Sequence, residues 1–182
     1  MRSCSLAVVC LIAAPSAAAE VEKLYYVGEA KLSSATGQPM GSQAFLLEKI
    51  HDQDNSQIIE RAVVVKPDGT ANEYPMTMKV KGDSFTITDA ENTISGSGKL
   101  FGPAWHWTYF KATYSSTNGA RIEDENYMAD PGVLVARKTV SLPDGKVVMH
   151  MDITLKTITP QTFAILAAGL LKKESASKVK QP

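Results

Sequence analysis

Apolar and polar positions alternate in short runs along most of this chain, and nearly every run ends at a cluster of turn-forming residues. Residues 24–32 (LYYVGEAKL) are rich in aromatic and aliphatic side chains and stop at Ala35-Thr36-Gly37-Gln38-Pro39. Residues 43–50 follow, then a polar break at 51–56. Residues 57–66 (QIIERAVVVK) are β-branched and end at Pro67-Asp68-Gly69, a tight-turn signal because proline presets φ and glycine tolerates a positive one. Residues 72–80 carry Pro75, which cannot donate to a sheet ladder and so predicts an edge or a bulge there. Residues 84–88 (SFTIT) alternate cleanly.

Further along, residues 93–100 place Gly96 and Gly98 on one side of a strand, where a neighbouring element can approach closely. Residues 104–114 (AWHWTYFKATY) are the most aromatic stretch. Asn118-Gly119 is a hairpin dipeptide, and Asp130-Pro131-Gly132 and Pro143-Asp144-Gly145 separate runs at 121–128, 133–142 and 146–158. About ten strands at this spacing, with no β-α-β alternation, predict an all-β protein, an antiparallel up-and-down β-barrel over residues 20–158. Closure would remove the exposed edges that invite aggregation.

The period changes only at the end. Thr159 suits a helix N-cap and Pro160 the first helical position, and Phe163, Ile165, Leu166, Leu170 and Leu171 follow before Lys172 and Lys173. One C-terminal α-helix is predicted over residues 159–173, packed on the barrel wall or plugging one end. A polar, disordered tail is predicted over residues 174–182.

Residues 1–19 read as a segment for export. Arg2 precedes a nine-residue apolar run at 6–14, Pro15 and Ser16 break it, and Ala17-Ala18-Ala19 suits cleavage before Glu20. The run is too short to span a bilayer as a helix, so no transmembrane segment is expected in the mature chain. Export to the periplasm or outside the cell changes the reading of the composition. Both cysteines, Cys4 and Cys10, leave with the signal, which excludes disulfides and thiolate chemistry from the mature protein. The whole chain balances 19 basic against 19 acidic residues, so it has no electrostatic footprint for nucleic acid.

Gly96-Ser97-Gly98 followed by Gly102-Pro103-Ala104-Trp105-His106-Trp107-Thr108 is a glycine-rich strand leading into a tryptophan-containing one. With the signal, the meander and the final helix, this resembles the small exported lipocalin- and calycin-like barrels, and within them the family DUF3833. The resemblance is best over residues 93–158. It implies a barrel with a ligand cavity and implies no reaction.

Candidate chemistry is sparse. On the aromatic stretch, alternation groups Trp105, Trp107 and Tyr109 on one face and His106 and Phe110 on the other, without saying which faces inward. Trp105, Trp107, Tyr109 and Phe110 are candidates for the wall of an apolar ligand site, and Arg121 or Arg137 for orienting a carboxylate head such as a fatty acid's. The alternative is ordinary core packing and cross-strand surface pairing. His106 and His150 could face each other from separate strands, which would allow a haem or enzymatic site, yet no metal-ligand spacing is present. Glu123 and Glu125 share a face as a possible carboxylate pair, with Asp124 opposite. No catalytic motif, metal site or cofactor is assigned. The expectation is a non-enzymatic binding protein for a small apolar or amphipathic molecule, and the alternative is an envelope interaction module.

Overall fold

The computed structural model describes residues 21–66 and 69–178, with side chains as far as Leu170. Residues 1–20, which include the segment expected to be a signal, residues 67–68 of an expected turn, and residues 179–182 lie outside them.

Ten strands run in order: β1 (Glu22–Ser34), β2 (Pro39–Asp52), β3 (Gln57–Val65), β4 (Ala71–Lys81), β5 (Ser84–Thr88), β6 (Ile94–Phe101), β7 (Tyr109–Ser116), β8 (Arg121–Asp130), β9 (Val133–Ser141) and β10 (Val147–Thr157). Each pairs antiparallel with its sequence neighbours, and β1 pairs with β10 to close the barrel, from Tyr26 opposite Thr157 to Ser34 opposite Met149. All ten expected strands form, because the turn residues that ended each hydrophobic run also end each strand. Gly119, for instance, takes φ 81° in the hairpin between β7 and β8.

Of the two alternatives expected at Pro75, the edge is the one that forms. Pro75 sits in regular register opposite Arg61, with no bulge. The short β5 pairs with β4 only from Thr77 onward, so Pro75 lies where β4 has a partner on one side alone. The barrel thus keeps a local edge for the proline. The strand that differs from expectation is β7, which begins at Tyr109 rather than at residue 104. Gly102, at φ 116°, and Trp105, at φ 62°, break the extended backbone, and Thr108 N donates to the Phe101 carbonyl (3.1 Å) to close a loop.

The inward register is continuous around the barrel: Tyr26 and Ala30 on β1, Leu47 on β2, Ile58 and Ala62 on β3, and so on to Ile153 and Leu155 on β10. Gly96 and Gly98 face inward as well. A Cβ on Gly98 would collide with the Phe85 ring and the Lys111 carbonyl, and one on Gly96 with Tyr114, so both glycines make room for aromatic rings.

One end of the barrel is solid. Ile58, Met78, Phe85, Leu100 and Ala112 pack there, with Phe110, Trp105 and Trp107 laid against them. The helix α1 (Pro160–Lys178) lies outside, on the wall, and continues into the segment expected to be a polar tail. Its Phe163 and Ala167 cover Leu46, Val63 and Ala71, which face outward from the sheet. Thr159 caps it as expected, its Oγ1 accepting from Thr162 N (3.2 Å). No described helix is long and apolar enough to cross a membrane.

Candidate functional site

The hairpin end of the barrel, opposite the tryptophan loop, holds an interior cavity of about 310 Å³. Its walls are apolar: Ala62, Leu47, Phe45, Ala30, Leu155, Ile153 and Ala136 form a continuous arc over β3, β2, β1, β10 and β9, and Met76, Ile122 and Val140 line it as well. Small residues create the space. Ala30, Ala62 and Ala136 are all buried and occupy inward positions where longer side chains would fill the bore. Tyr74 stands at the rim, 44% exposed.

The floor is polar, because five charged or amide side chains occupy inward positions of otherwise apolar strands. Lys138 shares the inward register of β9 with Leu134, Ala136 and Val140. Its Nζ donates to Asp124 Oδ2 (2.6 Å) and to the Tyr114 hydroxyl (3.1 Å). Asn126 Nδ2 donates to the other Asp124 oxygen (2.7 Å). Across the bore, Lys49 Nζ meets Glu60 Oε1 at 2.8 Å and lies 5.0 Å from the centre of the Phe110 ring. Glu60, Tyr114, Asn126 and Lys138 all line the cavity. Among the described residues, no fully buried side-chain polar atom lacks a hydrogen-bond partner.

Electrostatics keeps these groups charged. Burial acts to lower the pKa of Lys138, but the Asp124 carboxylate and the Tyr114 hydroxyl outweigh it and hold the ammonium above its ordinary value. Burial acts to raise Glu60, and Lys49, aided by Lys138 and His51, holds it below the usual carboxylate range. Burial raises the Tyr114 phenol. Tyr26 is pushed up to about 12 by burial and by the charges of Glu22 and Glu60. His51 lies on the closed side of this layer, with its Nδ1 3.0 Å from Glu22 Oε2. Its pKa falls, first through burial and then through Lys49, against the pull of Glu22.

None of the six residues singled out from sequence lines this cavity. Trp105 and Trp107 sit in the β6–β7 loop, their rings 5.0 Å apart, and help close the opposite end. Phe110 faces inward but lies in the solid end, edge-on to Phe85. Tyr109 faces out and packs on Phe101. Arg121 pairs with Glu123 (3.1 Å) on the outer face. Arg137 is also outside, between Asp152 (3.8 Å) and the Tyr127 ring. The reason is register: Ala136 and Lys138 take the inward positions of β9, which turns Arg137 out. Among the described residues, the arrangement therefore brings no arginine to the cavity.

The histidines do not converge. His106 is exposed in the loop at the closed end, whereas His150 lies on the outer face near the β9–β10 hairpin, bonded to Thr139 (3.1 Å). Glu123 and Glu125 point out and pair with Arg121 and Lys111. No group of three or more histidine, cysteine, aspartate or glutamate side chains that could hold a metal occurs among the described residues.

Solved structures share this architecture. A protein of unknown function from the DUF3598 family of Nostoc punctiforme superposes with a TM-score of 0.57 at 11% identity, over 74% of this chain and 46% of that one. The fold is lipocalin-like. The chain spans about half the length of the DUF3598 structure, and identity this low speaks to fold alone. The S-type phycobiliprotein lyase CPES of Guillardia theta superposes with a TM-score of 0.49 at 8% identity, over 74% of this chain and 86% of that one. No protein-family model matches the chain, and no curated protein does.

Proposed function

We propose that this protein is an exported, non-enzymatic lipocalin-like barrel that holds a small apolar or amphipathic molecule in its interior cavity, in the manner the resemblance to DUF3833 implies. The observation that carries the reading is the asymmetry of the bore. One half is packed solid beneath a tryptophan loop, while the other keeps about 310 Å³ walled by apolar side chains over a few fixed polar groups. That volume lies at the lower end of the range for small-molecule sites, and the mixture of lining groups is theirs. The signal segment at residues 1–19 supports a place in the periplasm or outside the cell.

The test expresses the full chain and isolates the exported form, which is expected to begin at Glu20. Calorimetric titration with medium-chain amphiphiles should give saturable binding. Ala136→Leu, which extends a side chain into the cavity from a buried position, should weaken it at least about tenfold with the fold intact by circular dichroism. Absence of saturable binding, or binding indifferent to Ala136→Leu, would overturn the reading.

A second reading, an interaction module of the envelope, draws on a single feature. Ile165 on α1 is 73% exposed beside a groove formed with Val27, Ala44 and Leu46. Ile165→Lys separates the two readings, since Ile165 does not itself line the cavity.

A further inference from the structure

The polar floor has a property that bears on which molecules the cavity accepts, given that it binds a ligand at all. Two cations, Lys49 and Lys138, are matched there by two anions, Glu60 and Asp124, at 2.8 and 2.6 Å. All four residues are largely buried, and the surrounding walls are apolar. The layer is thus electrically balanced before any ligand arrives. In apolar surroundings an unmatched charge is costly, because the walls compensate it poorly.

Hydrogen-bonding capacity nevertheless remains on both sides. The Lys138 ammonium has three donors, and Asp124 and Tyr114 take two. Glu60 engages Lys49 through Oε1, which leaves Oε2 as an acceptor on a residue that lines the cavity. Lys138 and Glu60 line the same cavity. The cavity therefore presents one donor and one acceptor over a neutral base.

We propose that the Lys138–Glu60 floor selects amphiphiles with a neutral head that both donates and accepts a hydrogen bond, a hydroxyl or a primary amide, over carboxylates and amines of equal chain length. A hydroxyl accepts from Lys138 and donates to Glu60. A carboxylate must compete with Asp124 for Lys138 while facing Glu60, and it adds a negative charge to a balanced layer. An ammonium faces Lys138 in the same way. This inference rests on the cavity being the binding site, and it departs from the fatty-acid head expected when an arginine was placed inside.

The experiment titrates the exported chain calorimetrically with decan-1-ol, decanoate and decylamine at neutral pH. Decan-1-ol should bind at least about tenfold more tightly than either charged analogue. Glu60→Gln removes one negative charge and should raise decanoate affinity relative to decan-1-ol by about tenfold, whereas Lys138→Gln should favour decylamine instead. Ala136→Leu should weaken whichever members bind. If the native protein binds decanoate as tightly as decan-1-ol, the head-group inference fails while the cavity reading stands. An order of affinities unchanged in both charge variants has the same meaning. If none of the three binds, both fall. The ranking in the native protein is decisive by itself should either variant fail to fold.

Discussion

Lys138 stands in line with Leu134, Ala136 and Val140, and Glu60 with Ile58, Ala62 and Val64, so each places a charge where its strand is otherwise written for the core. That departure from alternation was the signal in the sequence for the interior polar layer, stronger than the arginines and tryptophans that drew attention by residue type. A buried lysine held by one carboxylate makes a definite energetic prediction. Asp124→Ala leaves Lys138 without its anion and removes the acceptor of Asn126, and should cost about 3–5 kcal/mol in chemical denaturation. Removing both partners, in Asp124→Ala with Lys138→Met, should cost less than Asp124→Ala alone, because no unmatched charge then remains buried. A double variant less stable than the single one would mean that packing by the lysine stem, rather than its charge, dominates at this position.

Strands and helix were legible because their boundaries are local chemistry: Asn118-Gly119, Asp130-Pro131-Gly132 and the Thr159-Pro160 start each act within a few residues. The aromatic stretch misled for the opposite reason. Whether Trp105 continues a strand depends on its left-handed backbone, which only the surrounding loop and the packed end of the barrel impose on a non-glycine residue. Facing was hidden too, since alternation sorts residues into two sets and tertiary closure alone chooses the inner one. The helix shows how an element can be predictable and still peripheral. Phe163 is buried against the outward face of the sheet, its ring 5.1 Å from that of Tyr25. Phe163→Ala should remove about 3 kcal/mol of helix docking. Since α1 adds no residue to the barrel's closure, that loss should show as faster amide exchange in residues 160–170, with the β1–β10 pairing still protected and cavity binding unchanged. Uniform loss of protection across the strands would show instead that the helix and the barrel unfold as one unit.

For the whole molecule, the buried ionisable groups set limits on stability at both ends of the pH scale. His51 has a lowered pKa in the folded state, so below about 6.5 the unfolded chain takes up a proton that the native protein resists. Stability falls there as pH decreases, and the His51 contribution is fully lost once pH passes below its folded value. Glu60 follows at lower pH. Its folded pKa lies below the ordinary 4.5, so its stabilisation is present above that value and is lost as pH drops through the folded one. On the alkaline side the raised groups act together. Lys138 stabilises fully below its ordinary 10.5, and Tyr26 below 10.0; each contribution is lost as pH rises, that of Tyr26 between 10.0 and about 12. Thermal melts followed by circular dichroism should therefore show a plateau in Tm from about pH 7 to about pH 9.5, with a decline on either side. His51→Gln should flatten the part of the acid limb that begins near pH 6.5 and leave the lower part, where Glu60 titrates. A Tm that rises between pH 7 and pH 5.5 would mean that His51 gains more from Glu22, 3.0 Å away, than it loses by burial beside Lys49.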